Sequence, residues 1–203
     1  MRKLIKFIAI GCFFLLSVYI LQLAMQKRQA TDNLIRLHVV ANSDSESDQQ
    51  LKLIIKDEIV AFLQPEMEKM ENVKAAGAYL KENLEQVRAI AEEKIARSGY
   101  SYPVTVSFEQ ESFDRRNYET FSLPAGVYQS LRVKIGSGQG KNWWCVAFPT
   151  LCVPATGDGF VSAAVNDGIA EDMARCLADP DSYRIRFFLL EQLGRLEIFL
   201  RGK

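Results

Sequence analysis

The spacing of apolar and polar positions divides the chain into elements. Residues 7–21, Phe-Ile-Ala-Ile-Gly-Cys-Phe-Phe-Leu-Leu-Ser-Val-Tyr-Ile-Leu, form an apolar run without a charge, behind Arg2, Lys3 and Lys6. A basic start followed by such a run reads as an export signal or a single membrane anchor. Counted to Met25, it is almost long enough to cross a hydrocarbon core of about 30 Å. The bases ahead of it outweigh Lys27 and Arg28, which places the remainder outside the cytoplasm. Residues 26–33 are polar and read as a tether. From Leu34 the period becomes two: Ile35, Leu37 and Val39 face one way and Arg36 and His38 the other, as in a half-buried strand. Ser43 and Glu46 fit a capping box. Behind them Leu51, Ile54, Ile55, Ile59, Phe62 and Leu63 predict a helix that ends near Gln64, before Pro65.

A second helix is expected over residues 72–98, with Val73, Ala76, Leu80, Val87, Ile90, Ala91 and Ile95 as its apolar stripe and Gly99 closing it. Period two then returns at Val104, Val106 and Phe108, and again from Val127 to Ile135. Gly136-Ser-Gly-Gln-Gly140 reads as a turn into a strand over Asn142–Phe148, most simply a β-hairpin. Residues 155–183 read as a long connection with one short helix around 169–177. From Tyr183, Phe187, Leu190, Leu193, Leu196 and Leu200 predict a terminal helix, weakened by about 1 kcal/mol at Gly194. The expected fold class is α+β, a small, mainly antiparallel sheet with helices packed on one face, preceded by an N-terminal hydrophobic leader or anchor. The expected division is a leader over 1–25, the tether over 26–33 and a single exported domain over 34–203.

Composition sharpens this picture in one respect. The 203 residues carry no net charge, but the three bases of the leader hide a body with 22 bases against 25 acids. A slightly acidic body argues against nucleic-acid binding, which needs clustered positive charge. Catalytic signals are sparse. A single histidine excludes a His-rich zinc site and H-E-x-x-H, and G-x-S-x-G is absent. Glycines 136, 138 and 140 lack the third glycine of a dinucleotide fingerprint and precede a strand rather than a helix. Asp44, Glu46 and Asp48 have calcium-loop spacing but no glycine or distal glutamate in register, so capping accounts for them better. No metal, cofactor or small-molecule substrate is expected.

What remains is a short set of candidates. His38 is the one imidazole; it is either a base for a thiol at Cys145 or Cys152, or a partner of the turn at Asn42–Asp44. Cys145 and Cys152 are a candidate disulfide in an exported domain, worth roughly 2.5 kcal/mol as an eight-residue ring; reduced core cysteines are the alternative. Trp143 and Trp144 must point to opposite faces of a strand. Because antiparallel sheets often leave one face open, one tryptophan is expected in core and the other partly exposed, as interface anchors are. Arg36, His38, Asn42 and Asp44 at the first strand's end, with Asn142, Trp143 and Trp144 on the hairpin, form the candidate partner-binding surface, since none has an evident core role.

Two segments carry a resemblance. Ile35-Arg-Leu-His-Val-Val-Ala-Asn-Ser-Asp-Ser45 with its acidic helix, and Leu123-Pro-Ala-Gly-Val-Tyr128 running through Arg132-Val-Lys-Ile-Gly136 to Asn142-Trp-Trp-Cys-Val146 and Phe148-Pro-Thr-Leu-Cys152, resemble the stage II sporulation protein R family. The likeness covers most of 34–152, and Arg184-Ile-Arg-Phe187 fits the family's end. It implies a protein without catalytic residues, made in the forespore and exported into the space between the two compartments. There it would activate a membrane-embedded aspartic protease in the opposing membrane, which then processes a pro-sigma factor of the mother cell. That protease is the implied partner, with the membrane as a second through residues 7–25 if the leader stays uncleaved. The alternative is an extracytoplasmic cell-wall or thiol-dependent enzyme using Cys145, Cys152 and His38.

Overall fold

The computed structural model describes residues 1–118, 120–149, 157–166 and 168–201, the side chains of 157–159 excepted. In chain order the elements are α1 (Arg2–Asp32), β1 (Ile35–Val40), α2 (Glu46–Met67), α3 (Val73–Glu82), α4 (Leu84–Arg97), β2 (Val104–Phe113), β3 (Arg116–Asn117), β4 (Ser122–Leu123), β5 (Gly126–Ile135), β6 (Asn142–Phe148), α5 (Gly157–Asn166), α6 (Glu171–Ala178) and α7 (Arg184–Arg201). The main sheet has the order β2-β5-β1-β6, and β3 and β4 form a separate ribbon. Only the β1–β5 pair is parallel in the main sheet; β2–β5 and β1–β6 are antiparallel. The α+β class and the mainly antiparallel sheet agree with the sequence reading.

Three features depart from it. The glycine segment 136–140 does not close a hairpin, because β1 lies between β5 and β6 and the segment arches over that strand's end. Local sequence cannot distinguish a loop that joins neighbours from one that brackets a strand supplied about a hundred residues earlier. Helices also cover both faces of the sheet rather than one. Ile35, Leu37 and Val39 pack with Leu51, Ile55 and Ile59 of α2 and with Leu80, Val87 and Ile95 of α3 and α4. On the opposite face Phe113, Tyr128 and Val146 pack with Leu23 and Ala30 of α1, Phe160 of α5, Met173 of α6 and Leu190 of α7. Burying both sides makes every residue of β1 a core position, so its alternation records two cores rather than a core and solvent.

Third, the 26–33 stretch is not extended: α1 continues through Asp32. Leu23, Lys27, Ala30 and Thr31 recur at helical spacing and are buried against the body. The polar residue that disguises this stripe, Lys27, is neutralised by Glu197 of α7 at 2.8 Å. Smaller shifts follow local chemistry. Ser45, not Ser43, caps α2, accepting from the Asp48 amide at 3.2 Å. Pro65 sits inside the last turns of α2, and the second helix divides at Asn83 into α3 and α4. Within 155–183 the structure has two helices, α5 and α6, rather than one. The terminal helix forms as expected, and its weak point is where it docks: a Cβ on buried Gly194 would overlap the Ala125 carbonyl oxygen. Ala125 in turn donates its amide to Glu191 at 2.9 Å, so Ala125 and Gly126 are small where α7 and α1 come closest.

Candidate functional site

The end of β1 is tied to the arch above it by a hydrogen-bonded clamp. Asn42 accepts from the Ser137 amide at 3.0 Å through its side chain, and its carbonyl oxygen accepts from the Ser137 hydroxyl at 2.7 Å. The other end of the same amide donates to Asp48 at 2.8 Å, and the Ser43 hydroxyl donates there at 2.6 Å. Hydrogen bonding from Ser43 first, with burial opposing and Asn42 assisting, holds the Asp48 carboxyl below its ordinary value. Asp44 accepts from the Lys141 amide at 2.6 Å. Gly136 and Gly138 lie in the left-handed region at φ 57° and 64°, and a Cβ on Gly136 would overlap the Asn42 amide oxygen. The acidic cluster is therefore a loop anchor and a helix cap, and among the described residues no group of side chains is arranged to hold a metal ion.

Below the clamp, on the α7 side of the sheet, β1 presents polar side chains inside the protein. Arg36 lies beside Ser130 of β5, and His38 between Arg132 of β5 and Trp144 of β6. His38 reaches across β5 to Glu111 of β2, with Nδ1 at 2.8 and 3.0 Å from the two carboxylate oxygens. Burial raises the Glu111 pKa, but the hydrogen bond and charge of His38, helped by Arg132, more than offset this and leave it below 4.5. The ionised carboxylate only accepts, so the Nδ1 proton belongs to His38. The imidazole stacks on Trp144, centroids 5.4 Å apart, and meets Phe113 edge-on at 5.9 Å. Trp144 also carries the Arg116 guanidinium 3.6 Å from its centroid.

Arg36 is wholly buried. Its guanidinium lies 3.7 Å from the Phe113 centroid and 5.1 Å from that of Tyr128, and Nη2 donates to the Tyr118 hydroxyl at 3.0 Å. Among the described residues, the remaining Arg36 nitrogens, His38 Nε2 and Trp144 Nε1 have no hydrogen-bond partner. A buried polar group left so costs about 1–3 kcal/mol.

Residues 31–157, which contain both the clamp and the polar patch, match the family described as stage II sporulation protein R (spore_II_R). The chain belongs to the stage II sporulation protein R family. A relative named stage II sporulation protein R, from Bacillus subtilis (strain 168), is 36% identical over 121 residues, which is 60% of this chain and 54% of that protein. The chain thus spans about half the length of the curated relative it matches. No solved structure matches it. Membership in the stage II sporulation protein R family supports a role in sporulation, and α1, with a mean hydropathy of 2.4 in its apolar window, is compatible with a signal sequence or a membrane anchor.

Placed on this member of the stage II sporulation protein R family, the seven residues expected at the contact surface separate into three settings. Asp44 and Asn142 are exposed on the rim of the clamp, and Asn42 is half-buried within it. Trp143 and Trp144 point to opposite faces, and both are half-buried because both faces are covered. Trp143 lies towards α2, with Lys56 Nζ 4.9 Å from its centroid. Arg36 and His38 are buried, the opposite of the solvent-facing alternation expected of them, and His38 is held by Glu111 rather than by the Asn42–Asp44 turn.

Cys145 packs on the α2 side beside Leu37, across the sheet from His38, and is disulfide-bonded. Cys152 lies outside the described residues. Cys176 is a buried free thiol whose pKa burial pushes up to about 11. Sequence reading missed Glu111, Arg116 and Tyr118. Thr105, Ser107, Glu109 and Glu111 are polar at every second position and share the face of Arg36 and His38, a signal that continues past Phe108, where the expected strand stopped.

Proposed function

We propose that this chain is an exported sporulation signal, delivered from the forespore into the intermembrane space, that activates a membrane-embedded aspartic protease in the opposing membrane and so starts processing of a mother-cell pro-sigma factor. The observation that carries this reading is the family match over residues 31–157. A ligand acts by binding the active state of its receptor more tightly than the inactive one, for which it needs a shaped surface and no nucleophile. Asp44 and Asn142, with Trp144 and Arg116 behind them, supply that surface. The clamp sets its outline, and His38, stacked on Trp144, orients that ring from beneath.

The thiol-enzyme reading has less support, because Cys145 and His38 face opposite sides of the sheet. The test is reconstitution of the full chain with the protease and its pro-sigma substrate in facing or mixed vesicles. Cleavage that depends on the chain and falls at least about tenfold, or 1.4 kcal/mol, in an Asp44→Ala/Asn142→Ala variant with unchanged unfolding supports the proposal. Cleavage indifferent to the chain overturns it.

A further inference from the structure

Helix α7 has an apolar outer face that no part of the chain covers among the described residues. Phe187, Leu190 and Gly194 point into the body, whereas Ile185, Phe188, Leu196 and Phe199 point away from it. Phe188 is 60% exposed, Phe199 80% and Ile185 79%, too much to be the edge of the core. The pairs Ile185 with Leu196 and Phe188 with Phe199 are each eleven residues apart, three helical turns, so each pair is aligned and the two, about 60° apart, form one stripe with exposed Gln192 between them. Leu200, also exposed, widens that stripe. Exposed Arg184 and Arg195 border it, while the two acids of α7 are turned aside: Glu191 onto the Ala125 amide and Arg195, and Glu197 onto Lys27 and Arg201. An apolar stripe bordered by arginines is the pattern of a helix that lies in a lipid interface.

The position of α1 identifies which surface lies opposite this stripe. Leu21 is 62% exposed and Leu23 is 2% exposed, so α1 enters the body between them. At that point it touches α7: Ala24, Lys27 and Arg28 line one shallow hollow with Leu193, Glu197 and Arg201. The part of α1 outside the body over residues 4–21, charged only at Lys6 near its end, is about 27 Å long at 1.5 Å per residue, which fits a hydrocarbon core of about 30 Å with Lys6 at headgroup level. Because that hollow is where α1 enters the body, a bilayer holding residues 4–21 would end beside the last turns of α7, which carry Leu196, Phe199 and Leu200. We infer that α7 is a second membrane contact, its outer face seated in the interface of the same bilayer that holds α1, with the arginines at headgroup level.

This inference rests on the reading of α1 as a membrane segment, and the test separates the two. The full chain is reconstituted in phosphatidylglycerol/phosphatidylcholine vesicles with p-benzoylphenylalanine in place of Phe188, Phe199, Phe14 or the remote, exposed Glu93, irradiated, and read by mass for lipid or protein adducts. The expected result is lipid adducts at positions 188, 199 and 14 exceeding those at position 93 by about tenfold, as interfacial burial requires. Lipid adducts at position 14 alone leave α1 in the bilayer and overturn the role of α7. Adducts at 188 and 199 with a second copy of the chain, rising with protein concentration, also overturn it, in favour of self-association. Absence of lipid adducts at position 14 removes the membrane reading of α1, and the inference with it.

Discussion

His38 and Glu111 meet at 2.8 Å although they belong to strands that are not neighbours, with the whole of β5 between them. The pair therefore ties three strands together, and neither partner can be lost without exposing the other's charge to a partly apolar interior. Glu111→Gln is expected to lower stability at pH 7 by about 1–3 kcal/mol, read by urea unfolding. Because the native Glu111 pKa lies below its ordinary value, the stabilisation is complete above the unfolded carboxylate range and is lost as pH falls through the depressed value. The gap between the two proteins should accordingly close below pH 4.5; a gap of constant size from pH 7 to pH 3 would refute the assignment.

Asn42 joins β1, the arch and α2 through one amide. Asn42→Ala should cost about 1–2 kcal/mol and loosen one segment in particular. Amide hydrogen exchange at Ser137, Gln139 and Gly140 is expected to accelerate, while exchange in β5 stays slow. Unchanged protection of the arch would mean that its glycines hold it without the clamp.

Arg36 sets a different test, because a buried guanidinium with a single hydrogen bond among the described residues stabilises little. Arg36→Met keeps volume and contact with Phe113 and Tyr128 while removing the charge, and such replacements are often neutral. Thermal unfolding is expected within about 1 kcal/mol of the parent. An unfolded variant would instead show that the charge is structural.

Gly194→Ala reverses the ordinary rule. In a free helix the change would stabilise by about 1 kcal/mol, but the new methyl group would meet the Ala125 carbonyl, which is backbone and fixed by Glu191. Overpacking of this kind costs about 1–3 kcal/mol. A lowered melting temperature supports the close approach, and a raised one would show that α7 sits farther from β5.

These residues also show what the sequence made legible. The strands around Val39, Val106, Val133 and Val146 and the apolar leader were readable because periodicity is local. The position of β1 between β5 and β6 was not, since the arch has the composition of a hairpin turn whichever strand it spans. The second core was hidden by polarity: Arg36, His38 and Lys27 look solvent-bound until Phe113, Glu111 and Glu197 are placed against them. Gly194 reads as a defect in a helix and becomes a contact only when Ala125 is beside it.

The absence of a hinge in α1 between Leu21 and Leu23 limits how the domain can search for a partner. A ligand on a flexible stalk samples a wide volume and turns freely, whereas on the proposed reading, with α1 held in a bilayer, this body rides on a stiff rod and keeps one bearing towards that membrane. As long as the rod is intact, its reach is close to its own diameter, about 40 Å from the compactness of a body this size. The proposed receptor would then have to come within that distance and be met by the same side each time. Cutting the rod would exchange this fixed presentation for free diffusion, so under the proposed function the state of α1 would set whether the signal is delivered only where two membranes lie close together.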